Sequence, residues 1–236
     1  MKKFLLLAAS VLTFISCEKD NKTGNLHLSG DIKGLGQGKL YIQKIQDTAL
    51  VILDSIEFKG NSKFDTYVNI DEPEVLYLFL DRGQTNSIDN NMAFFAEPGE
   101  MNITTKLKEF YAAAKVTGSK NQELWEEFKQ MNSRFTNENL EIMEKRLYNE
   151  MNFNPKTQDS INEAYNRLLT RKYRYVANFA VTHADHEIAP FLALTEIADI
   201  NIAFLDTISK KMSPKIKKSK YGKMLDEHIE NRKKEN

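Results

Sequence analysis

Cysteine is almost absent from the chain. It has one Cys in 236 residues, together with one Trp and five Pro. A lone Cys excludes an internal disulfide, a Cys-x-x-Cys redox pair and a thiolate zinc site within the chain. Long apolar runs are scarce too. The one candidate, Phe4 to Ile15, is shorter than the roughly 20 residues a helix needs to cross a hydrocarbon layer. Charge of one sign is not in excess, with 33 basic against 33 acidic residues. That balance lacks the basic footprint of a nucleic-acid binder, and no nucleic-acid partner is expected. No P-loop or GxGxxG turn leads into a helical pattern, so no cofactor is expected and Gly34 to Gly38 reads as a hairpin turn. What is abundant is apolar and aromatic side chains, 41% and 10% of the chain, enough to bury a core.

The single Cys stands at an informative place. Lys2 and Lys3 precede the apolar run, which stops at Ser16-Cys17 and turns at once to Glu18, Lys19 and Asp20. Charge, length and order fit a secretory signal peptide over residues 1–16. A small residue before Cys resembles a lipobox, although Phe14 stands where Leu is usual. The expectation is a bacterial lipoprotein with Cys17 as the lipid attachment residue. The alternatives are an ordinary signal peptide with an incidental Cys, or a short N-terminal anchor. Two or more acyl chains make attachment stable, at about 0.8 kcal/mol per buried methylene. Glu18 behind the Cys favours the outer membrane, facing the periplasm or the cell surface. Residues 17–24 then form a polar, lipidated tether.

From Leu26 the apolar period is two. Leu26, Leu28 and Ile32, then Leu40 and Ile42, then Phe64, Thr66, Val68 and Ile70 alternate with polar residues as half-buried strands do. Ala49 to Asp54 is a near-continuous β-branched run, and Gly60 to Ser62 a turn. Val75 to Leu80 is apolar on both faces, which predicts a central strand. Further short strands are expected near Met92 to Ala96, Met101 to Thr105 and Ala113 to Val116. This spacing predicts an antiparallel sandwich-like domain over 25–118. At Ser119 the period becomes 3.6. Ser119 and Gln122 form a capping-box pattern, followed by the stripe Leu124, Phe128, Met131 and Phe135, which Ile142, Leu147 and Met151 extend. Phe153 to Pro155 ends that helix. A second carries Ile161, Tyr165, Leu168, Val176 and Phe179. Shorter ones cover Pro190 to Ala198 and Asn201 to Lys211, and a last starts at Ser219 with Tyr221, Leu225 and Ile229. The fold class is therefore α+β: an N-terminal antiparallel β-sandwich-like domain, then an all-helical domain over 119–236. Enough helices to make their own core predict a helical unit with a modest interface to the sandwich.

The order of LHLSGDIKGLGQGKLYI, LDSIEFKGNSKF, EPEVLYLFL, FFAEPGEMNIT, KVTGSKNQE and MSPKIKKSKYGKML resembles the uncharacterised N-terminal region of periplasmic thiol:disulfide interchange lipoproteins. The likeness covers roughly residues 26–230. In those relatives the helical part leads into a thioredoxin domain with a Cys-x-x-Cys pair. No such pair occurs here, so the resemblance implies the β-rich fold and an envelope setting without thiol chemistry, which needs a free thiolate.

No residue pattern predicts catalysis or a metal site. His183, Asp185, His186 and Glu187 carry metal-ligand chemistry, but no HExxH or further ligand accompanies them, and a solvated helix end explains them. His27 and His228 read as structural or exposed. Asp54-Ser55 lies in a predicted strand without the base and orienting acid of a nucleophile. Residues 210–236 carry ten basic against four acidic groups, a solvated helix face or a contact for anionic lipid or glycan. Asp47-Thr48-Ala49, Asp54-Ser55-Ile56, Asp159-Ser160-Ile161 and Asp206-Thr207-Ile208 resemble a bacterial O-glycosylation signal. The functional expectation is a non-catalytic binding or accessory module of the envelope, meeting an envelope protein or glycan through loops of the β-domain. The rivals are a docking partner of a separate thioredoxin-like oxidoreductase, favoured by an exposed apolar patch on the helical half, and an enzyme with an unrecognised site.

Overall fold

The structure, a computed structural model, describes residues 23–46, 49–83 and 88–235. Cys17, the leader, most of the tether and the pair Asp47-Thr48 lie outside the described residues. Eight strands form two four-stranded sheets, ordered β4-β1-β7-β8 and β3-β2-β5-β6. The strands are β1 (Leu26–Lys33), β2 (Gln37–Gln46), β3 (Ala49–Lys59), β4 (Lys63–Val68), β5 (Glu74–Asp81), β6 (Asn91–Ala96), β7 (Gly99–Lys106) and β8 (Lys115–Thr117). Six helices follow: α1 (Lys120–Met151), α2 (Pro155–Thr182), α3 (Ile188–Glu196), α4 (Ile202–Lys211), α5 (Pro214–Lys218) and α6 (Lys220–Glu235). The α+β class stands as the alternation and the change of period predict. Most pairs are antiparallel, but β1 and β7 run parallel, with Leu26 opposite Gly99 and Lys33 opposite Lys106. Between them the chain builds all four strands of the second sheet and, midway, β4 of the first, a connection that no local pattern encodes.

The two sheets face each other over one core. Leu26, Leu28 and Ile32 of β1, with Met101 and Ile103 of β7, meet Leu40 and Ile42 of β2, Leu76, Leu78 and Leu80 of β5, and Met92 and Phe94 of β6. Because side chains alternate along a strand, Val75 and Phe95 point the other way. Both belong to a second core made otherwise of helical residues, among them Leu124, Phe128, Val176, Leu192, Ile208 and Leu225. β5 is thus apolar on both faces because both are covered, one by the opposing sheet and one by helices. Phe95 sits among aromatic rings, with Trp125, Phe191 and Tyr221 centred 6.3, 5.6 and 5.9 Å from it.

The interface between helices and sheet is more than the modest one expected, because the sheet depends on the helices for hydrogen bonds. Val75 and Phe95 lie directly opposite each other on β5 and β6. Both amides point out of the pair, as in a non-hydrogen-bonded antiparallel site. β2 does not reach Val75, since its ladder with β5 ends at Lys44 and Leu76, and β6 is the sheet edge. Two helical side chains fill the gaps. The Phe95 N–H donates to Gln122 Oε1 at 2.7 Å, and the Val75 N–H donates to Tyr221 Oη at 3.0 Å. This alters the expected capping box. Gln122 N–H does donate to Ser119 Oγ at 3.0 Å, but the Gln122 carbonyl reaches β6 instead of turning back to Ser119, whose hydroxyl donates to Glu97. A buried strand amide without a partner outweighs the return half of a cap.

A buried polar knot reinforces the join. Glu97 Oε1 accepts from Ser119 Oγ at 2.9 Å and from the backbone and side-chain amides of Asn121 at 2.6 and 2.8 Å. Its charge lies at the N-terminus of α1, where the helix dipole favours an anion. Asn121 in turn accepts from Ile188 N–H at 2.8 Å and donates to Glu187 Oε2 at 2.9 Å, so one amide links the sheet, α1 and α3. At Gly222 of α6 a Cβ would come within 1.9 Å of the Ile216 carbonyl, and only glycine allows α6 to lie so close to α5.

Tyr221→Phe keeps the ring and removes the acceptor of the Val75 amide. The expected loss is about 1–3 kcal/mol, the cost of stranding a buried donor. Urea unfolding checks it, and a loss below a few tenths of a kcal/mol would show that water replaces the phenol.

Candidate functional site

The residues singled out in the sequence are not brought together. His183 caps α2 and lies against the Phe179 ring at 4.4 Å, and burial pushes its pKa down from the ordinary value. Its neighbour Glu187 is buried in the Asn121 knot, with Lys215 Nζ 3.7 Å away. Among the described residues no group of three or more His, Cys, Asp or Glu side chains is placed to hold a metal ion. Asp54 and Ser55 are tied into the sheet, with Ser55 N–H donating to Asp54 Oδ1 at 2.7 Å and Thr66 Oγ1 donating to Asp54 Oδ2. Of the four glycosylation-like tripeptides, Ser160 and Thr207 are exposed on helices, Ser55 is half-buried, and Thr48 lies outside the described residues. The basic tail forms α6, docked through Tyr221, Leu225 and Ile229. Arg232 fastens its end by donating to the carbonyls of Ala198 and Ile200 at 2.8 and 2.6 Å.

His27 is less isolated than its place in the sequence suggests. On the outer face of the first sheet, Nε2 meets Asp65 Oδ2 of β4 at 2.8 Å and Nδ1 meets Glu100 Oε2 of β7. Its ring stacks on Tyr67 at 4.2 Å. Both ring nitrogens are engaged by carboxylates, so neither is free to take a substrate proton, and the imidazolium clamps three strands. Hydrogen bonding to Asp65 raises its pKa above 6.5 against the opposing effect of burial, and the hydrogen bond to Glu100 adds to the rise.

An open cavity of about 840 Å³ lies at the end of the second sheet between Gly38, Lys39, Glu57, Lys59, Asp81 and Arg82. Most of its charges are paired: Lys59 with Glu57 at 2.9 Å, Lys39 over the Tyr41 ring at 5.0 Å, Asp81 accepting from Gly83 N–H at 2.8 Å, and Arg82 donating from Nη2 to Asn90 Oδ1 at 3.0 Å, although the buried Arg82 Nε has no partner among the described residues. No acid–base constellation is assembled there.

The feature without a structural role is on α1. Over its first turns this helix buries Leu124 and Phe128 against the sheet and helices. Its distal half pairs with the start of α2 around a small cluster of its own, Ile142, Ile161 and Leu168 with Phe135 and Tyr165 at the edge. Asn149 locks the turn, donating to Gln158 at 3.1 Å and accepting from Asn154 N–H at 3.1 Å. The expected continuation of the apolar stripe through Leu147 and Met151 fails here. At about 100° per residue these lie roughly 140° and 180° around the helix from Ile142, on the face turned away from α2. Leu140, Met143, Leu147, Tyr148, Met151 and Phe153 are 55–76% exposed. Four of them, Leu140, Met143, Leu147 and Met151, recur at three- and four-residue steps as a continuous stripe. Periodicity reveals that a stripe exists, but which stripe is covered depends on where α2 lies.

The described residues thus form a sandwich backed by helices, with one helical face left open. Residues 26–125 match DUF4369, a domain of unknown function. The match takes in all eight strands and the first turns of α1, including Gln122 and Trp125. No curated protein and no solved structure matches the chain. Among the described residues no helix is long and apolar enough to cross a membrane.

The His27 clamp gives a pH test. Because its pKa is raised in the fold, its contribution is full below the ordinary value and fades as pH rises through the raised one. Asp65 and Glu100 are largely solvent-exposed, so the gain stays below about 1 kcal/mol. The melting-temperature gap between the native chain and His27→Gln should be wider at about pH 5.5 than at about pH 8.5, on either side of the ordinary imidazole range. An equal gap at both would show that stacking on Tyr67, not charge, is what His27 contributes.

Proposed function

We propose that the protein is a non-catalytic lipoprotein of the bacterial envelope, held at the outer membrane by acyl chains on Cys17. In this reading it works as a binding or accessory module. The signal-like leader and the Ser16-Cys17 junction support the anchor, and the resemblance to the N-terminal region of thiol:disulfide interchange lipoproteins supports the setting. The exposed stripe on α1 carries the binding role. Monomers rarely leave contiguous apolar patches larger than a few hundred Å² open. Six large side chains, each more than half exposed, offer an area on the order of the roughly 800 Å² that one partner contributes to a stable interface.

This moves the binding surface from the β-domain loops to the helical half. Exposed Glu144 and Glu150 flank Leu147 about 60° to either side, with Glu141 and half-buried Arg146 further round the helix. The partner that fits is a protein presenting an apolar helix face flanked by Lys or Arg. A periplasmic thioredoxin-like oxidoreductase is the narrower reading, since the stripe lies on the half that joins the thioredoxin domain in the resembled proteins.

Two measurements test the two halves of the proposal. Metabolic labelling with a fatty-acid analogue should mark the native chain and not Cys17→Ser, and labelling that survives the substitution contradicts the anchor. A photo-crosslinking residue at position 147 should capture a discrete protein in cells, and the product should disappear when Met143→Glu and Met151→Glu are added. A product that persists, or one of twice the chain's own mass, overturns docking of a separate partner on this face. A captured protein with a Cys-x-x-Cys pair selects the oxidoreductase.

A further inference from the structure

The outer face of the β3-β2-β5-β6 sheet is only half covered. Helical residues pack on Val75, Tyr77, Ala93 and Phe95 of β5 and β6. β2 and β3 continue beyond the end of β5's ladder, to Gln46 opposite Ala49. On that extension Ile45 faces Leu50 across the pair, and Ile52, two residues along, shares their side of the sheet. Ile45, Leu50 and Ile52 are 42%, 59% and 54% exposed. β3 is an edge strand, and an apolar edge left in water is a liability.

The chain enters the fold at this end. Asn25 Nδ2 donates to the Ile70 carbonyl at 2.6 Å, Asn25 Oδ1 accepts from Ile70 N–H at 2.9 Å, and the Asn25 carbonyl accepts from Gly99 N–H at 2.8 Å. Gly24 lies so close to β4 that a Cβ would meet Val68 backbone at 2.7 Å, which fixes the exit. The residue after Ile70, Asp71, lies 4.0 Å from Lys44 Nζ, next to Ile45. Asn25 is eight residue steps from Cys17, a reach of at most about 28 Å.

Charge at this end is mixed but leans to cations on the outside. Ile45 lines a hollow of about 270 Å³ with Lys44, Asp71, Glu72, Glu74 and Lys220. Glu74 is buried against Lys220 Nζ, and Glu72 accepts from Lys220 N–H at 2.6 Å. In α5, just before Lys220, Lys215 and Lys218 are exposed and Lys217 half-exposed. Among the described residues lining the hollow, Asp71 is the exposed carboxylate, and it has Lys44 beside it.

The geometry points to a phospholipid bilayer as the occupant: Ile45, Leu50 and Ile52 seat at the surface of the membrane to which Cys17 is tethered, with the lysines of α5 meeting its phosphates. This rests on the lipoprotein reading. The tether brings a bilayer within reach of this end, and the apolar hairpin then holds the domain against it in one orientation, as interfacial apolar groups do.

The test uses the mature chain, residues 17–236, carrying Cys17→Ser, so that no acyl chain contributes. Sedimentation with phosphatidylglycerol–phosphatidylethanolamine vesicles at about 0.15 M salt, where exposed charges beyond about 8 Å are screened, should show weak, saturable binding. Leu50→Ser with Ile52→Ser should lower it at least tenfold at unchanged melting temperature, since both side chains are exposed. Lys217→Glu with Lys218→Glu should lower it further, at roughly fivefold per lysine near an anionic surface. Leu50→Trp should give a blue shift of emission on adding vesicles and quenching by brominated lipid. No binding of the parent chain, or binding unchanged in the serine variant, overturns the inference. Labelling at Cys17 together with absent vesicle binding overturns this inference alone and leaves the lipoprotein reading standing.

Discussion

Two backbone amides set the terms on which this fold can exist. Val75 and Phe95 oppose each other at a site where neither can bond its strand partner, one beyond the end of the ladder between β2 and β5 and the other on the sheet's edge. Both are buried and must be satisfied, because a buried donor without an acceptor costs about 1–3 kcal/mol. The acceptors come from opposite ends of the helical region, Gln122 in the first turn of α1 and Tyr221 in the first turn of α6. The side chains of the same two residues supply apolar surface to the helical core. Sheet and helices therefore close on each other through the same pair, by backbone and by side chain at once. The Tyr221 phenol, with its pKa driven upward by burial, stays neutral at any ordinary pH and does not bring a charge into that core.

The polar knot at Glu97 follows from this closure. Once α1 is drawn onto β6, its free N-terminal amides come against the β6–β7 turn, and Glu97 accepts from them while Asn121 turns to α3. The charged and polar groups buried here are linked to one another, which is the condition under which such groups are tolerated. The distal half of α1 escapes these constraints. It is held only by α2 through Ile142, Asn149 and their partners, so its outer face is free to carry residues for another purpose.

Much of this is legible in the residues. Alternation in Leu26, Leu28 and Ile32 gives the strand and its buried face, and the two-sided apolarity of Val75 to Leu80 marks a strand covered on both sides. Ser119 marks the start that α1 adopts, and Phe153 to Pro155, legible as the end of that helix, also holds the Asn154 cap and first residue of α2. The rest depends on distances that no local pattern contains. Gln122 reads as a capping residue because its spacing from Ser119 fits; only the arrival of β6 beside it redirects its carbonyl. His27 reads as isolated because Asp65 and Glu100 are far away in sequence and are joined to it by strand order. Leu147 and Met151 read as core because they are apolar at near-helical spacing. Their exposure follows from the position of α2 alone. The same holds for Leu50 and Ile52, whose apolar run reads as a strand but whose register carries them past the end of β5.

The two proposed surfaces, an α1 face for a helix and a hairpin for a membrane, sit on a body whose sheet and helices close on each other as one unit in this account. That unity is the claim on which both surfaces depend, since a helical half able to open separately would present a different set of apolar residues. Native-state hydrogen exchange of the Val75 and Phe95 amides tests it most directly. If sheet and helices close on each other as described, both amides exchange only through global unfolding, with the free energy and denaturant slope of the whole chain. Exchange of either through a smaller local opening, while the amides of β1 and β7 remain protected, would mean that the helices leave the sheet independently and would contradict the account.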